Sequence, residues 1–197
     1  PGSVMVVPTA TMAEHLAHEF ARQGEFVRPS RIVTLAGLLD QWADSKAAPK
    51  SLLRFLVARA LEQSAPRRFA PVADSRGLHD VLAGLIDELP SDAALPRDID
   101  NIRALVVAGL ERRGLATRAT RAAEAAEYEG SLQTHYVFDG FFQFSKDESR
   151  LVRAIAAKTT VTLTFPEPWP NLPCQRTTER YRQASLEKRS EEHTSEL

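Results

Sequence analysis

Asp139 stands directly after a short strand-like run, residues 135–138, at a place where the sequence could carry metal chemistry. In proteins that hydrolyse nucleotides, an aspartate at such a strand end holds Mg²⁺ against the phosphates, and a neighbouring glutamate orients the attacking water. Here the neighbour is Gly140, which has no group that can move a proton. The residues favour a turn at the strand end, because Asp and Gly suit turns, and a degenerate nucleotide or metal site is the alternative.

The other half of such a site, a glycine-rich phosphate-binding loop, is missing from the sequence. No G-x-x-x-x-G-K-S/T pattern occurs in the chain. The segment after the first predicted strand reads PTATMAEH and contains neither glycine nor lysine. Because backbone amides and a lysine are needed to hold a triphosphate, we expect no ATP hydrolysis by these residues.

Four arginines and one tryptophan are the candidates for contacts with nucleic acid. Clustered arginines can form a positive stripe along a helix that meets phosphates, although intervening glutamates also fit a solvated helix face. A tryptophan in a proline-rich loop at the carboxyl edge of a parallel sheet can stack on a base. The candidate DNA-binding residues are Arg112, Arg113, Arg118, Arg121 and Trp169.

Composition restricts the classes of function. The 197 residues include 43% hydrophobic and 26% charged side chains, as in an ordinary globular domain. The net charge of -1 gives no overall basic field, which argues against a free-standing DNA-binding domain. No apolar run approaches the about 20 residues that span a bilayer. The single cysteine, Cys174, allows no internal disulfide and no cysteine-based metal cage. We expect a cytoplasmic protein with no metal site and no membrane partner.

Both ends of the sequence lead us to expect a piece of a longer protein. Residue 1 is Pro rather than Met. At the other end, residues 189–197 read RSEEHTSEL, which can be back-translated codon by codon into a common sequencing adapter. We therefore interpret residues 189–197 as an artefact and residues 171–188 as a truncated linker or helix.

Hydrophobic periodicity predicts an α/β domain with a parallel sheet. Residues 4–7 and 31–35 have the continuous apolar character of buried strands, and an amphipathic helical pattern follows each of them. This alternation is the β-α-β signature of a parallel sheet. The strand pattern resumes at residues 135–138 and again at residues 160–165.

The middle of the chain, residues 50–128, shows apolar residues at helical spacing and no strand pattern. We therefore predict that this segment is an all-helical insertion. The α/β core is then discontinuous and consists of residues 1–49 and 129–170. In this arrangement the insertion separates the first two strands from the strand that ends at Asp139.

Three passages, taken in order, resemble a known family. VVPTATMAEHLAHEFARQG and RIVTLAGLLDQWA are similar to the strand–helix–strand unit of superfamily 1 helicase-like proteins that follows the Walker A unit. GLHDVLAGLIDELP resembles a helical segment of the same proteins, and YVFDGFFQFSKDESRLVRAIAAKTTVTLTF resembles a passage of AddB-type subunits. The matches span about residues 4–165. The resemblance implies a P-loop-NTPase-like fold of the helicase domain 1 type, in a UvrD-like N-terminal region of an AddB-like PD-(D/E)XK nuclease family protein.

Proteins of this family join a helicase-like region to a nuclease and process DNA ends in double-strand-break repair and recombination. The resemblance places Asp139 on the metal-binding aspartate of the helicases, and Gly140 departs from their glutamate. It implies a non-catalytic region that contacts DNA or acts as a scaffold. The implied partners are DNA and a second helicase–nuclease subunit.

The resemblance also bears on cofactors and on enzyme activity. It implies a parent PD-(D/E)XK exonuclease that uses Mg²⁺, ATP or an iron–sulfur cluster. The nuclease carboxylates and any cluster cysteines would lie outside this chain, so we expect the chain itself to be inactive and to hold no cofactor.

Two other functions stay open from the sequence. One is a working ATP-dependent DNA helicase domain whose Walker A loop lies upstream of Pro1. The other is an α/β interaction module unrelated to helicases. A phosphate-loop motif upstream would favour the first, and a parent without a downstream nuclease region would favour the second.

Overall fold

The computed structural model describes residues 2–25, 27–64, 66–90 and 92–164. This part of the chain is an α/β structure with seven α-helices and a four-stranded parallel sheet. The candidate Trp169 and the segments 171–188 and 189–197 lie outside the described residues. None of the described helices is long and apolar enough to cross a membrane.

The first half of the sheet alternates strands with helices. Ser3–Val7 forms strand β1, and the amphipathic segment Ala10–Arg22 forms helix α1. Ile32–Thr34 forms strand β2, which leads directly into helix α2, Leu35–Trp42. Because β1 and β2 pair in parallel, the β-α-β unit predicted from the sequence is confirmed.

Three helices occupy most of the middle of the chain. They are α3 (Lys50–Ser64), α4 (Arg76–Glu88) and α5 (Arg97–Glu111). Two short strands flank them, β3 (Lys46–Ala47) and β4 (Leu115–Ala116), and these pair with each other in parallel. The prediction that residues 50–128 contain no strand is therefore wrong at β4. A strand of two residues is too short to show a period-2 pattern.

The second half of the sheet again alternates helices and strands. The elements are α6 (Arg118–Ala126), β5 (His135–Phe138), α7 (Lys146–Ala156) and β6 (Thr160–Leu163). A capping box begins α7: the Ser145 hydroxyl accepts from the Glu148 N–H at 3.2 Å. In return, the Glu148 carboxylate accepts from the Ser145 N–H at 2.9 Å. These two hydrogen bonds fix the first residue of α7, shortly after β5.

The four strands lie in the order β2-β1-β5-β6, and every neighbouring pair is parallel. Met5 of β1 pairs with Ile32 on one side and with Val137 on the other. Strands β1 and β5 therefore form the centre of the sheet. The strand that ends at Asp139 lies directly beside the first strand of the chain.

One face of the sheet is covered by helices α2, α6 and α7. Side chains alternate between the two faces of a strand, and on this face Val6 and Phe138 are 0% and 1% exposed. They pack in one apolar cluster with Leu38, Ala122 and Leu151 from the three helices. Helix α6 thus packs in the core of the sheet, whereas the sequence predicts it as part of the helical insertion, residues 50–128.

A second apolar cluster lies between α3, α4 and α5. Val57, Ile102 and Val106 are completely buried there. Among the described residues, the two clusters have no buried member in common. The short β3–β4 pair joins the two ends of the segment that carries the second cluster, through the 3.1 Å hydrogen bond from the Ala48 N–H to the Ala116 carbonyl.

Candidate functional site

The carboxyl ends of β1 and β5 lie side by side, and the chain leaves these two strands toward opposite edges of the sheet. From β1 the chain runs through α1 to β2, and from β5 it runs through α7 to β6 on the opposite side. Ligands of open parallel sheets bind in the crevice at such a switch point. The residues that follow the two strands, Pro8, Thr9 and Asp139, therefore border the candidate site.

Asp139 is held by hydrogen bonds to both neighbouring strands. Its N–H donates to the Val6 carbonyl at 2.9 Å and so continues the β1–β5 pairing. Its carboxylate accepts a short hydrogen bond from the hydroxyl of Thr164, the residue after β6. The Thr164 N–H in turn donates to the Phe138 carbonyl at 2.9 Å. In this arrangement Asp139 joins the ends of three strands.

Gly140 lies in the left-handed region of backbone space, with φ of 76°. Side chains with a Cβ rarely adopt this conformation. A Cβ built on Gly140 would also overlap the end of the Met12 side chain, which comes from α1. A glutamate at this position would therefore need both a strained backbone and a displaced Met12. The residue that would activate water in a nucleotide-hydrolysing site does not fit the local geometry.

The connection from β1 to α1 is too short for a phosphate-binding loop. Only Pro8 and Thr9 stand between Val7, the last residue of β1, and Ala10, the first of α1. Such loops need about eight residues, with two glycines and a lysine. In addition, the Thr9 hydroxyl accepts from the Met12 N–H at 3.2 Å, so the helix start binds its own cap.

A Mg²⁺–nucleotide complex therefore does not fit the residues at this switch point. The carboxylate that would bind the metal accepts a hydrogen bond from Thr164, Gly140 stands where a water-activating acid would be, and only Pro8 and Thr9 connect β1 to α1. Among the described residues there is also no group of three or more His, Cys, Asp or Glu side chains placed to hold a metal ion.

Arg121, one of the candidate DNA-binding residues, is buried rather than exposed. Its side chain is only 4% exposed on α6. The guanidinium pairs with Asp40 of α2 at 2.5 Å and donates to the Ser45 carbonyl at 3.2 Å. A buried guanidinium that pairs with Asp40 is poorly placed to contact a phosphate, contrary to the prediction from the sequence. Arg121 instead joins α6 to the end of α2.

Arg118 at the start of α6 is half-exposed but takes part in contacts between helices. Its guanidinium lies 2.5 Å from the Glu148 carboxylate of α7, and its N–H donates to Asp87 of α4 at 2.9 Å. It lines a cleft of about 370 Å³ together with Glu88 and Glu148. Because two carboxylates line the same cleft, this surface is poorly suited to a polyanion.

Ionisable groups near the start of α7 shift one another's pKa values. Burial raises the pKa of the Asp147 carboxyl, and the negative charge of Asp92 raises it further, whereas Arg150 and Lys146 lower it. Asp92 accepts a short hydrogen bond from Lys146, which lowers the pKa of the Asp92 carboxyl. The Lys146–Asp92 pair connects the start of α7 to the loop before α5.

Arg112 and Arg113 follow the last residue of α5 and are both exposed. The Arg113 guanidinium donates to the Gly109 carbonyl at 2.6 Å. Both side chains line a cleft of about 130 Å³ with Phe55 and Arg59 of α3. The sequence predicts Arg112 and Arg113 as candidates but not Phe55 or Arg59. The signal was present, since Phe55 lies off the apolar stripe of its helix.

No protein-family model matches the chain, and a search of curated proteins finds no match.

Proposed function

We propose that this chain is a non-catalytic, helicase-like region of a cytoplasmic DNA end-processing helicase–nuclease of the AddB-like PD-(D/E)XK kind. In this role it contacts DNA, acts as a scaffold for the complete protein, and does not hydrolyse ATP itself. DNA and a second helicase–nuclease subunit are its proposed partners. The nuclease and its metal ions would belong to other parts of the parent protein.

The order of the strands supports the helicase-like part of the proposal. A central pair of parallel strands, β1 and β5, with an aspartate at the carboxyl end of β5, is compatible with a P-loop-NTPase-like fold of the helicase domain 1 type. The separate apolar cluster of α3, α4 and α5 supports an insertion between the two halves of the sheet.

The proposal that the chain does not hydrolyse ATP depends on the contacts made by the residues at the switch point. Met12 lies against Gly140, Thr164 donates a hydrogen bond to the Asp139 carboxylate, and only Pro8 and Thr9 connect β1 to α1. Nucleotide hydrolysis depends on positioning phosphates and metal by such groups. A site whose metal-binding carboxylate is used within the sheet is better explained as a structural remnant than as a motor.

The experiment for this part measures ATP turnover by the purified chain with and without single-stranded and duplex DNA. We expect no turnover above a protein-free blank. Turnover that is stimulated by DNA and lost on Asp139→Ala would contradict the proposal. The same result would favour the alternative, an ATP-dependent helicase domain, and would require phosphate-binding residues other than those at β1.

The experiment for DNA contact measures binding of labelled DNA by fluorescence anisotropy at several salt concentrations. Because arginine–phosphate contacts release counterions, we expect binding that weakens as salt rises. A chain that binds neither single strands nor duplex at low salt would reduce the proposal to a scaffold without DNA contact.

A further inference from the structure

An exposed aromatic ring on α3 marks a surface that the switch point does not explain. Phe55 leaves 50% of its surface open, whereas Leu53 and Leu56 of the same helix are 2% and 8% exposed. The core of α3, α4 and α5 is therefore complete without the phenyl ring. A single exposed apolar residue is common, so the surroundings of Phe55 decide what it means.

Arg59 holds a positive charge over the Phe55 ring. The two residues are four apart on α3, which places them on the same side of the helix. The guanidinium carbon of Arg59 lies 5.9 Å from the ring centroid, within the range of a cation–π contact. Leu105 of α5, 39% exposed, lines the same cleft and extends its apolar surface.

The charged residues of this cleft are all arginines. Arg59, Arg112 and Arg113 line it, and no carboxylate does. Among the described residues, none of the three arginines is in an ion pair, in contrast to Arg54, Arg118 and Arg121. The chain as a whole has a net charge of -1, so this concentration of unpaired positive charge is local.

Resting on the DNA-contacting role proposed above, we propose that this surface binds single-stranded nucleic acid. The Phe55 ring stacks on a base, and the arginines bind the phosphates on either side. We call this surface the α3–α5 surface, formed by Phe55, Arg59, Leu105, Arg112 and Arg113.

The chemistry of the α3–α5 surface favours a single strand over other partners. An aromatic ring with flanking cations is the combination that binds unpaired bases and their backbone, and a duplex keeps its base faces stacked and out of reach. An apolar protein partner would leave three guanidinium groups without carboxylates, and burying unpaired charge is costly.

The test uses the full chain and a labelled oligothymidylate of about 20 nucleotides, compared with a duplex of equal length. The wild-type chain binds the single strand more tightly than the duplex. Phe55→Ala weakens single-strand binding by about fivefold or more, the effect of losing one stacked base. Arg112→Ala lowers the slope of log affinity against log salt by about 1, as expected for one lost phosphate contact.

Two matched control variants lie elsewhere on the molecule. Phe142→Ala removes another exposed ring, 62% exposed and distant in sequence from the α3–α5 surface, and Arg153→Ala removes an exposed arginine of α7. Both controls retain wild-type affinity. Circular dichroism melts verify that each variant is folded.

Each contrary outcome has a distinct meaning. If the wild-type chain binds DNA and Phe55→Ala binds equally well, the α3–α5 surface is not the site, and the proposed DNA-contacting role still stands. If the wild-type chain binds no DNA, this inference fails together with the DNA-contacting part of the proposed function, and only the scaffold role is left. If Phe55→Ala abolishes self-association in light scattering while DNA binding is unchanged, the surface is an interface between copies of the chain, and this inference is overturned.

Discussion

Gly140 illustrates how the backbone around one residue can exclude a chemical function. The position after the strand aspartate carries an acid in working nucleotide hydrolases. Here Gly140 has a φ of 76°, and the end of the Met12 side chain lies where a Cβ on residue 140 would be. The sequence alone showed that an acid is missing, whereas the structure gives a physical reason why glycine occupies the position.

The Gly140→Ala variant tests this account. We expect it to lower the free energy of unfolding by about 1–3 kcal/mol, because alanine is strained at positive φ and its Cβ meets Met12. In a Met12→Ala background the same substitution should cost about 0.5 kcal/mol less, since the overlapping atoms are gone. Urea unfolding of the four variants of this double-mutant cycle gives the measurement.

Gly24→Ala is the matched control for backbone strain. Gly24 has φ of 80°, but a Cβ there would meet no atom within 4 Å. Gly24→Ala should therefore lower the free energy of unfolding by the same amount in the wild-type and in the Met12→Ala background. An equal cost of Gly140→Ala in both backgrounds would show that Met12 does not press on the glycine.

At the scale of single elements, α6 shows why an arginine can point inward. Its core face is built from alanines, including Ala119, Ala122 and Ala125, which are at most 3% exposed. Such small side chains let a helix approach its neighbours closely. A long side chain on the same helix can then reach across to the end of α2, as Arg121 does to Asp40. Residue type and spacing predict an exposed Arg121, because they do not reveal how close the next helix lies.

Replacing Arg121 should therefore be costly for stability. Arg121→Ala removes the ion pair to Asp40 and the hydrogen bond to the Ser45 carbonyl, and it leaves a gap in a buried site. We expect the free energy of unfolding to fall by about 2 kcal/mol. Asp40 is 64% exposed and can regain water, which keeps the loss below that of a fully buried broken pair.

Arg112→Ala provides the comparison for Arg121→Ala. Arg112 is exposed and has no ion pair among the described residues, so its replacement should change the free energy of unfolding by less than about 0.5 kcal/mol. Equal effects of the two substitutions in urea unfolding would mean that Arg121 is not buried in the folded chain.

The start of α7 gives a prediction about pH. Burial raises the pKa of Asp147 in the folded state, so the folded state binds more protons than the unfolded state above the ordinary value of 3.8. The contribution of Asp147 to stability therefore falls as pH rises through this window. Asp147→Asn has no such charge, so the difference in unfolding free energy, variant minus wild type, should increase as pH rises above 3.8.

Thermal melts of wild type and Asp147→Asn at a series of pH values measure this difference. Asp147 also lies in the first turn of α7, where the helix dipole favours a negative charge. A difference that decreases as pH rises would show that the helix dipole and Lys146 outweigh burial. The pKa of Asp147 would then be lowered rather than raised.

At the scale of the whole molecule, the sequence was most informative where apolar runs are continuous. Residues 4–7 and 135–138 form the two central strands of the sheet, and their apolar composition predicted a parallel sheet. The two-residue strands β3 and β4 carried no recognisable pattern, and the alanine-rich α6 gave no sign of which core it joins. The α3–α5 surface depends on two helices that are far apart in sequence, so spacing within one helix could not reveal it.

The separation of the two apolar clusters has a consequence for folding. Helices α3, α4 and α5 bury Val57, Ile102 and Val106 among themselves, and the β3–β4 pair joins the ends of the segment. A segment with its own core and closed ends can fold by itself. We therefore expect an excised segment, residues 45–117, to be helical and to melt cooperatively in circular dichroism.

A core substitution shows whether such melting reflects the packing described. A single core of this size seldom supplies more than about 3–5 kcal/mol of stability. Because replacing a buried isoleucine by alanine costs about 2–5 kcal/mol, Ile102→Ala should unfold the excised segment at room temperature. The exposed Val81, 67% exposed on α4, serves as the control, since Val81→Ala should leave the transition nearly unchanged. A contrary result would be an excised segment that shows no cooperative transition while the full chain unfolds in a single step. The second cluster would then depend on the sheet, and the two clusters would fold as one unit.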